Sequence, residues 1–327
     1  MSYPLKDRFG RVIDYLRISI TDHCNLQCVY CVTDAVTWVP HDEILRFEEV
    51  AKIVSVFAKE GIRKVRITGG EPLMRKGLPD FVRQLSRIGE LNDISVTTNG
   101  VLLKGLAGEL KEAGLKRINV SLDTLKPERY KVITGKDFFS QVWEGIHEAR
   151  RVGLEPVKIN VVAMRGYNDD EILDFVRLTL DHAYVVRFIE FMPFNEQWDD
   201  RNFLSVDGIK EIITREYGLE PVAGTHNNGP ARVFKIPGAK GEIGLISPLS
   251  NHFCGTCNRL RLTADGHLRP CLFSDEEIDL KTPLREGADE ERLRELLYAT
   301  LRLKPERHHV QTVSAPKCHR GMWSIGG

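Results

Sequence analysis

The architecture follows from residues 15–31, Tyr-Leu-Arg-Ile-Ser-Ile-Thr-Asp-His-Cys-Asn-Leu-Gln-Cys-Val-Tyr-Cys, in which an apolar run leads into three closely spaced cysteines. The run at residues 12–20 predicts a buried β-strand, because it is rich in Ile, Leu, Val and Tyr. Similar short runs follow at residues 64–68, 94–98, 117–122, 156–163 and 185–191. Patterns of helical period lie between them, at residues 47–59, 78–88, 102–113, 140–151 and 171–180.

Strands that alternate with helices of this length indicate βαβ units and a parallel sheet. Six such strands are two short of a complete (β/α)8 barrel. We therefore predict an α/β protein built on an incomplete, TIM-like (β/α)6 barrel, with a doubly wound sheet as the alternative. The 327 residues leave room for about two domains.

Composition and charge exclude several classes of protein. Hydrophobic residues make up 42% and charged residues 28% of the chain, which is typical of a folded globular protein. Because Lys plus Arg equals Asp plus Glu at 46 each, we expect no nucleic-acid binding through a general basic field. No apolar run is long enough for a membrane helix, and the first residues lack the apolar core of a signal peptide. We expect a cytoplasmic protein that binds no membrane.

The predicted strand ends carry polar or glycine-rich sequences. Gly69-Gly70-Glu71-Pro72 follows the second strand, and the other strand ends carry Thr98-Asn99-Gly100, Ser121-Leu122-Asp123 and Met192-Pro193. On the fifth strand, Lys158 and Asn160 alternate onto one face. Chemistry in parallel α/β folds collects at the carboxyl ends of the strands, so these residues predict a catalytic mouth there.

The first three cysteines, Cys24, Cys28 and Cys31, lie on one loop with spacing Cys-x3-Cys-x2-Cys. Seven cysteines in a cytoplasmic protein suggest metal or cluster ligation rather than disulfides. A [4Fe–4S] cube usually takes four thiolates, so three would leave one iron free to bind a small molecule. The alternative is a structural zinc ion completed by His23 or by a more distant histidine.

The second cysteine triplet is Cys254-x2-Cys257-x13-Cys271. Asp265-Gly266 predicts a two-residue hairpin turn, which would place Cys271 opposite Leu260 and bring the three sulfurs together. A second cluster is one interpretation; zinc is the other, with His252, His267 or Cys318 as the fourth ligand.

Arg259 and Arg261 lie two residues apart on this presumed strand and therefore face the same side. Two guanidinium groups beside a cluster favour an anionic ligand such as phosphate. A solvated strand face is the alternative interpretation of two arginines at this spacing.

The cysteine spacing, with Tyr30 before the last cysteine, resembles the radical S-adenosylmethionine (SAM) superfamily, as does Gly-Gly-Glu-Pro at residues 69–72. Residues 66–75, 257–266 and 322–327 together resemble the GTP 3′,8-cyclase (MoaA) family of molybdenum-cofactor biosynthesis. The resemblance implies a radical SAM partial barrel with a first [4Fe–4S] cluster at residues 1–225. It also implies a smaller C-terminal cluster-binding domain at residues 226–327, with a second [4Fe–4S] cluster and contacts to GTP.

The same resemblance assigns roles to individual positions. Cys24, Cys28 and Cys31 would hold the first cluster, and Cys254, Cys257 and Cys271 the second. SAM would contact Tyr30, Gly70, Ser121 and Met192. The GTP site would be lined by Arg17, Arg66, Thr97, Lys158, Arg259, Leu260 and Arg261, of which Arg17, Arg259 and Arg261 would act in catalysis. The Gly326-Gly327 tail resembles a family extension into the active site; a flexible terminus without a role is the alternative.

The implied activity is that of a lyase. An electron would cleave SAM, and the resulting 5′-deoxyadenosyl radical would remove hydrogen from C3′ of GTP. The C3′ radical would add to guanine C8, and a further electron and proton would complete (8S)-3′,8-cyclo-7,8-dihydroguanosine 5′-triphosphate. The implied partners are an external electron donor, a second copy in a homodimer, and cyclic pyranopterin monophosphate synthase, which would take the product. The competing hypotheses are another radical SAM enzyme, such as one that modifies peptides, and a zinc scaffold.

Four residues depart from the family pattern or match nothing in it. Val32-Thr33 replaces the Met-Pro that many relatives have after the third cysteine, and His23 replaces a frequent arginine. These departures concern the packing of the loop and leave the three cysteine ligands unchanged. Cys318 is interpreted as a spare thiol, with a role as fourth cluster ligand as the alternative.

Overall fold

The computed structural model describes residues 4–31, 37–194, 198–222, 229–310 and 320–326. Its strands form one mixed sheet and are β1 (Tyr15–Ser19), β2 (Lys64–Thr68), β3 (Asp93–Thr98), β4 (Arg117–Ser121), β5 (Lys158–Ala163), β6 (Val185–Glu190), β7 (Glu220–Pro221), β8 (Arg232–Lys235), β9 (Glu242–Ile246), β10 (Arg259–Leu262), β11 (His267–Arg269) and β12 (Ile278–Asp279). Its α-helices are α1 (Phe47–Glu60), α2 (Leu78–Ser86), α3 (Leu103–Glu112), α4 (Pro127–Thr134), α5 (Phe139–Arg151), α6 (Ile172–Asp181), α7 (Val206–Thr214), α8 (Lys281–Arg285), α9 (Glu290–Leu303) and α10 (Met322–Ile325).

Strands β1 to β6 lie side by side in chain order, and each pairs in parallel with the next. At least one helix connects each consecutive pair, so the predicted (β/α)6 partial barrel is confirmed. All six predicted strands and all five predicted helices are present, with ends shifted by a few residues at most. Helix α4, which precedes α5 between β4 and β5, was not predicted.

The C-terminal part of the chain extends this sheet at both edges. Strand β10 pairs in parallel with β1, and β9 pairs in parallel with β6. Within the described ranges β9 and β10 do not pair with each other, so the sheet stays open between them. The connection from β9 to β10 contains Cys254 and Cys257. The division into two domains at residues 225 and 226 stays a prediction, and that boundary falls in residues 223–228, outside the described part of the chain.

Successive side chains along a strand alternate between the hydrophobic core under the helices and the inside of the barrel. In β1, Leu16 and Ile18 are fully buried and belong to the main hydrophobic core. Tyr15 and Arg17 point to the other face and line a cavity. Burying an aliphatic side chain contributes about 1.5–3 kcal/mol, so this alternation fixes which face receives the helices.

Glu49 in the first turn of α1 joins the barrel to α8. Its carboxylate accepts hydrogen bonds from the Arg46 backbone N–H at 2.7 Å and from Arg285 Nε at 3.0 Å. Burial alone would raise the pKa of Glu49, but the bonds from Arg285 and Arg46 lower it to about 2. The ionised carboxylate therefore stabilises the contact between the C-terminal helices and the barrel.

The hairpin at the second cysteine triplet has a different register from the one predicted. Arg261 lies opposite Arg269 and Leu262 opposite Leu268, one residue away from the predicted pairing. Thr263 N donates to His267 O at 2.9 Å, so the loop contains three residues, 264–266, rather than two. Gly266 has φ +86°, and a left-handed glycine at the end of a three-residue loop favours this geometry. The predicted two-residue turn, with Cys271 opposite Leu260, is therefore wrong.

No helix in the described part of the chain combines the length and the apolar character that crossing a membrane requires.

Candidate functional site

A cavity of about 240 Å³ lies at the carboxyl ends of the parallel strands. Most of the residues predicted for the site line this cavity together, although they come from distant parts of the chain: Arg17, Cys24, Cys28, Tyr30, Cys31, Arg66, Gly70, Thr97, Ser121, Met192, Arg259 and Arg261. The location agrees with the predicted catalytic mouth.

A smaller cavity of about 60 Å³ adjoins the first, and Cys254, Cys257 and Cys271 line it. Arg259 and Arg261 line both cavities. The same arginine pair thus lines the cavity of the first triplet and the cavity of the second.

The side chains of Lys158 and Leu260 do not line either cavity among the described residues. Lys158 is the first residue of β5, at the amino end of the strand, and Asn160, two residues further along, lines the main cavity instead. Burial and the nearby Arg187 lower the pKa of Lys158 to about 7. Leu260 is fully buried in the hydrophobic core, because strand alternation turns it away from the flanking arginines.

The glycine pair at residues 69–70 packs against the backbone just before the first triplet. Gly70 N donates to Thr21 O at 2.7 Å, and Glu71 N donates to His23 O at 2.8 Å. A Cβ atom on Gly70 would lie closer than 3 Å to the carbonyl oxygens of Asp22 and His23. Glycine is therefore required for the two loops to approach this closely.

Glu71 connects this loop to the end of β3. Its buried carboxylate accepts hydrogen bonds from Thr98 Oγ1 at 2.7 Å and from Asn99 N at 2.6 Å. Burial raises the pKa of Glu71 to about 7. Asn99 Nδ2 in turn donates to Asn25 Oδ1 at 2.7 Å and lies 3.8 Å from Cys24 Sγ. The end of β3 thus holds the first cysteine of the loop.

Tyr30 is held by an aspartate at the end of β4. Its hydroxyl donates to Asp123 Oδ2 at 2.6 Å, and Asp123 Oδ1 accepts from Val162 N in β5 at 2.8 Å. Burial raises the pKa of Asp123 to about 6. Sequence reasoning noted Asp123 as a strand-end residue without giving it a role; the structure makes it the anchor of the cysteine loop.

The cysteines of the first triplet are half-buried and do not form disulfides. Burial and the neighbouring Cys31 raise the pKa of Cys28 well above its usual range. Burial together with Cys24 raises the pKa of Cys31 to about 12. Three thiolates crowded in this way need cations beside them, so the donor set fits an iron–sulfur cluster.

The zinc alternatives find no support in the geometry of the side chains. Across the described ranges, no group of three or more His, Cys, Asp and Glu side chains could hold a single metal ion. His267 instead pairs with Asp265 at 3.2 Å, and Cys318 lies outside the described residues. The thiolates of a [4Fe–4S] cube bind separate irons, so its ligands stand further apart than those of one zinc ion.

Three of the arginines form a row across adjacent strands. Arg17 in β1 lies opposite Arg66 in β2 and opposite Arg261 in β10. With neighbouring strands about 4.8 Å apart, the row spans roughly 10 Å. Burial and the neighbouring Arg261 lower the pKa of Arg17 well below its usual range, and burial with Arg259 lowers that of Arg261 to about 9. A buried row of like charges is suited to a polyanion.

Arg187 in β6 is a member of this site that sequence reasoning missed. Its guanidinium is buried and donates to Asn119 Oδ1 at 2.6 Å. Within the described residues, no carboxylate pairs with Arg66, Arg187 or Arg261. A single arginine inside the apolar run Val-Val-Arg-Phe-Ile was the signal that could have identified it.

Several buried polar atoms around the main cavity lack a hydrogen-bond partner. They belong to residues that all line the cavity, and they are Tyr15 Oη, Thr97 Oγ1, Asn160 Oδ1 and Arg187 Nε. Leaving a buried polar group unpaired costs about 1–3 kcal/mol, so these atoms mark positions where a polar ligand would bind.

The C-terminal segment enters the same cavity. Gly326 O accepts hydrogen bonds from Arg261 Nη1 at 2.6 Å and from Arg17 Nε at 3.3 Å. Met322 and Trp323 line the cavity wall. The segment therefore lies where the predicted tail would reach, although Gly327 itself falls outside the described residues.

Two cations lie beside Cys257 in the second triplet. Burial alone would raise the pKa of this thiol, but Arg259 and Lys304 lower it to about 6. The Lys304 Nζ lies 3.7 Å from Cys257 Sγ. The environment favours the thiolate, the form that binds metal.

Comparison with known proteins agrees with this geometry. A family model described as the radical SAM superfamily matches residues 18–179, and one described as Molybdenum Cofactor Synthesis C matches residues 184–310. A GTP 3′,8-cyclase of Thermodesulfovibrio yellowstonii is 51% identical and covers 99% of this chain and 100% of its own. Another, from Petrotoga mobilis, is 52% identical over 98% of this chain and 99% of its own.

Among solved structures, Streptococcus suis SuiB bound to S-adenosylmethionine is similar, with a TM-score of 0.60. The match covers 88% of this chain and 67% of that one at 15% identity, and it shows the fold alone. The full-length identity to the cyclases, together with the two family matches, shows the family. This chain belongs to the GTP 3′,8-cyclase family of the radical SAM superfamily.

Proposed function

We propose that the protein converts GTP to (8S)-3′,8-cyclo-7,8-dihydroguanosine 5′-triphosphate, the first step of molybdenum-cofactor biosynthesis. The relatives that carry the name GTP 3′,8-cyclase support this activity. The observation that carries the proposal is the pair of adjoining cavities, one lined by each cysteine triplet, which share Arg259 and Arg261; the larger cavity also holds the buried arginine row.

Cys24, Cys28 and Cys31 would hold the first [4Fe–4S] cluster and leave one iron open to SAM. When bound there, the reduced cluster and SAM supply the radical chemistry that abstracts a hydrogen atom. Tyr30, Gly70, Ser121 and Met192 would contact SAM, since each lines the cavity next to this triplet. The bond from Tyr30 to Asp123 keeps the loop fixed while SAM binds and leaves.

Arg17, Arg66, Arg259 and Arg261 would bind the triphosphate and orient the ribose. The row from Arg261 through Arg17 to Arg66 matches a chain of phosphates in length and charge. Binding of the polyanion would relieve the repulsion within the row, which raises affinity. Arg17, Arg259 and Arg261 would act in catalysis by holding C3′ near the radical source.

The remaining proposed GTP contacts have different roles. Thr97 lines the cavity and offers an unpaired hydroxyl. Lys158 would contribute charge from the amino end of β5, and Leu260 could contact the nucleotide only through its backbone. Cys254, Cys257 and Cys271 would hold the second [4Fe–4S] cluster beside the nucleotide.

The cavity walls would keep water away from the reaction. Trp323 and Met322 line the cavity, and Gly326 is held by two arginines of the row. A carbon-centred radical reacts with whatever lies next to it, so a closed site protects both substrate and protein.

The test is a turnover assay under anaerobic conditions with dithionite, SAM and GTP. We expect 5′-deoxyadenosine and a cyclised nucleotide to form together, and much less 5′-deoxyadenosine when GTP is left out. A Cys24→Ser variant serves as the control without radical chemistry. Equal 5′-deoxyadenosine with and without GTP would refute the substrate assignment.

We propose in addition that the protein works in the cytoplasm as a homodimer and takes its electron from an external donor. The product would pass to cyclic pyranopterin monophosphate synthase. These proposals are supported by the resemblance to the family. Size-exclusion chromatography with light scattering tests the dimer, and a monomer at micromolar concentration would contradict it.

A further inference from the structure

Lys304, directly after α9, is buried to an extent that is unusual for lysine. Only 2% of it is exposed, and no carboxylate pairs with it among the residues that the structure describes. Lysine is almost never fully buried unless its charge is compensated. A group other than a carboxylate must therefore compensate the positive charge of Lys304.

Within the described residues, the hydrogen bonds of the Lys304 side chain all go to the second triplet or to residues one or two positions from it. Its Nζ donates to Arg259 O and to Pro270 O, both at 2.8 Å, and lies 3.7 Å from Cys257 Sγ. An ammonium group has three donors, and these three acceptors use each of them. Because Pro270 directly precedes Cys271, Lys304 holds the backbone beside one cysteine and contacts the sulfur of another.

Arg11 provides an instructive comparison at the same site. Its guanidinium donates to Cys254 O at 2.8 Å, but it also pairs with Asp7 at 2.6 Å. Arg11 therefore contacts only backbone at the triplet, and a carboxylate balances its charge. The ammonium group of Lys304 instead points toward a cysteine sulfur, and no described carboxylate balances its charge.

We propose that Lys304 is a positioning residue that raises the reduction potential of the second cluster. Reduction adds negative charge to a cluster, and a buried cation that donates to a ligating sulfur stabilises the reduced form. The proposal rests on the cluster proposed at the second triplet, but it does not depend on the identity of the substrate.

The test compares three variants of the full-length holoenzyme. Lys304→Met removes both the charge and the donors, and Lys304→Gln keeps amide donors without the charge. Lys52→Met is the matched control, because Lys52 Nζ also donates to a backbone carbonyl, that of Ala288 at 2.9 Å, at an exposed site. The midpoint potential of the second cluster is measured by redox titration followed by electron paramagnetic resonance. The signal of that cluster is the one that a Cys254→Ser variant lacks.

Iron and sulfide analysis first establishes that the second cluster is fully occupied in the proteins compared. We expect a more negative potential in Lys304→Gln and Lys304→Met, and an unchanged potential in Lys52→Met. An unchanged potential in both Lys304 variants at full occupancy would overturn the proposal. A native protein without a second cluster would refute the proposed cofactor instead, so the two failures are distinguishable.

Discussion

Glu190 joins the end of β6 to the segment that precedes the second cysteine triplet. Its fully buried carboxylate accepts hydrogen bonds from Val206 N at 2.9 Å, Leu249 N at 3.0 Å and Ser250 N at 3.1 Å. The Ser250 hydroxyl donates to the same carboxylate. Replacing this one group should therefore loosen the connection between the barrel and the second cluster site.

Glu190→Gln keeps the shape but turns one carboxylate oxygen into an amide donor. One oxygen accepts from Leu249 N and Ser250 N, and the other accepts from Val206 N and the Ser250 hydroxyl. A hydroxyl can also accept, so the better orientation of the amide places its NH2 group against the Ser250 hydroxyl and loses one bond, that of Val206 N. A hydrogen bond to a charged group contributes about 1.5–3 kcal/mol, so the substitution costs at least about 1.5 kcal/mol. The variant should also retain less iron at the second triplet.

The assay is urea unfolding followed by circular dichroism, with iron analysis on the same samples. Glu211→Gln is the control, because Glu211 forms an exposed pair with Arg215 at 2.7 Å. Exposed pairs contribute about 0–1 kcal/mol, so the control should unfold close to the native midpoint. If Glu190→Gln loses less than about 1 kcal/mol and keeps all its iron, the reasoning about this carboxylate is refuted.

Three further predictions concern nucleotide binding, the loss of stability at acid pH and the first cysteine loop. Replacing Arg259 and Arg261 together by Ala should weaken GTP binding by about 10²–10⁴, since two charge-assisted contacts contribute about 3–6 kcal/mol; an unchanged Kd in calorimetry would contradict this. Glu49 has its pKa lowered to about 2, so its stabilising effect is complete above pH 4.5 and is lost as pH falls from 4.5 toward 2. At pH 7 the free energy of unfolding of Glu49→Gln should be lower than that of the native protein by about 1–2 kcal/mol, a figure reduced because the arginine partners are partly exposed. If the unfolding midpoints of the two proteins differ as much below pH 4.5 as at pH 7, this prediction is wrong. Gly70→Ala should lower the iron content of the first cluster because its Cβ would meet backbone oxygens, whereas Gly89→Ala has nothing within 4 Å and should keep it; equal iron contents would disprove the steric argument.

The barrel strands could be predicted because their signals are local. Strand β2 begins and ends where predicted, since a β-branched run is bounded by a glycine pair at residues 69–70. The parallel pairing of β10 with β1 could not be predicted, because it joins residues more than 240 positions apart and leaves no local pattern. The arginine row depends on this pairing, so the sequence suggested its members but not their alignment.

Single residues account for the other differences. Asp265-Gly266 is compatible with hairpin loops of two or three residues, and the left-handed Gly266 together with the Thr263 pairing selects three. Leu260 was assigned to the GTP site as part of a motif, although strand alternation sends its side chain into the core. Arg187 was missed because an isolated charge in an apolar strand is not a motif, and its role depends on tertiary packing.

Hydrogen transfer from the nucleotide sugar is the event on which the whole account depends. Turnover with GTP that carries deuterium at C3′, followed by mass spectrometry of the 5′-deoxyadenosine formed, measures this transfer directly. The account predicts one deuterium atom in the 5′-deoxyadenosine. 5′-Deoxyadenosine that contains no deuterium, formed together with unaltered GTP, would contradict it.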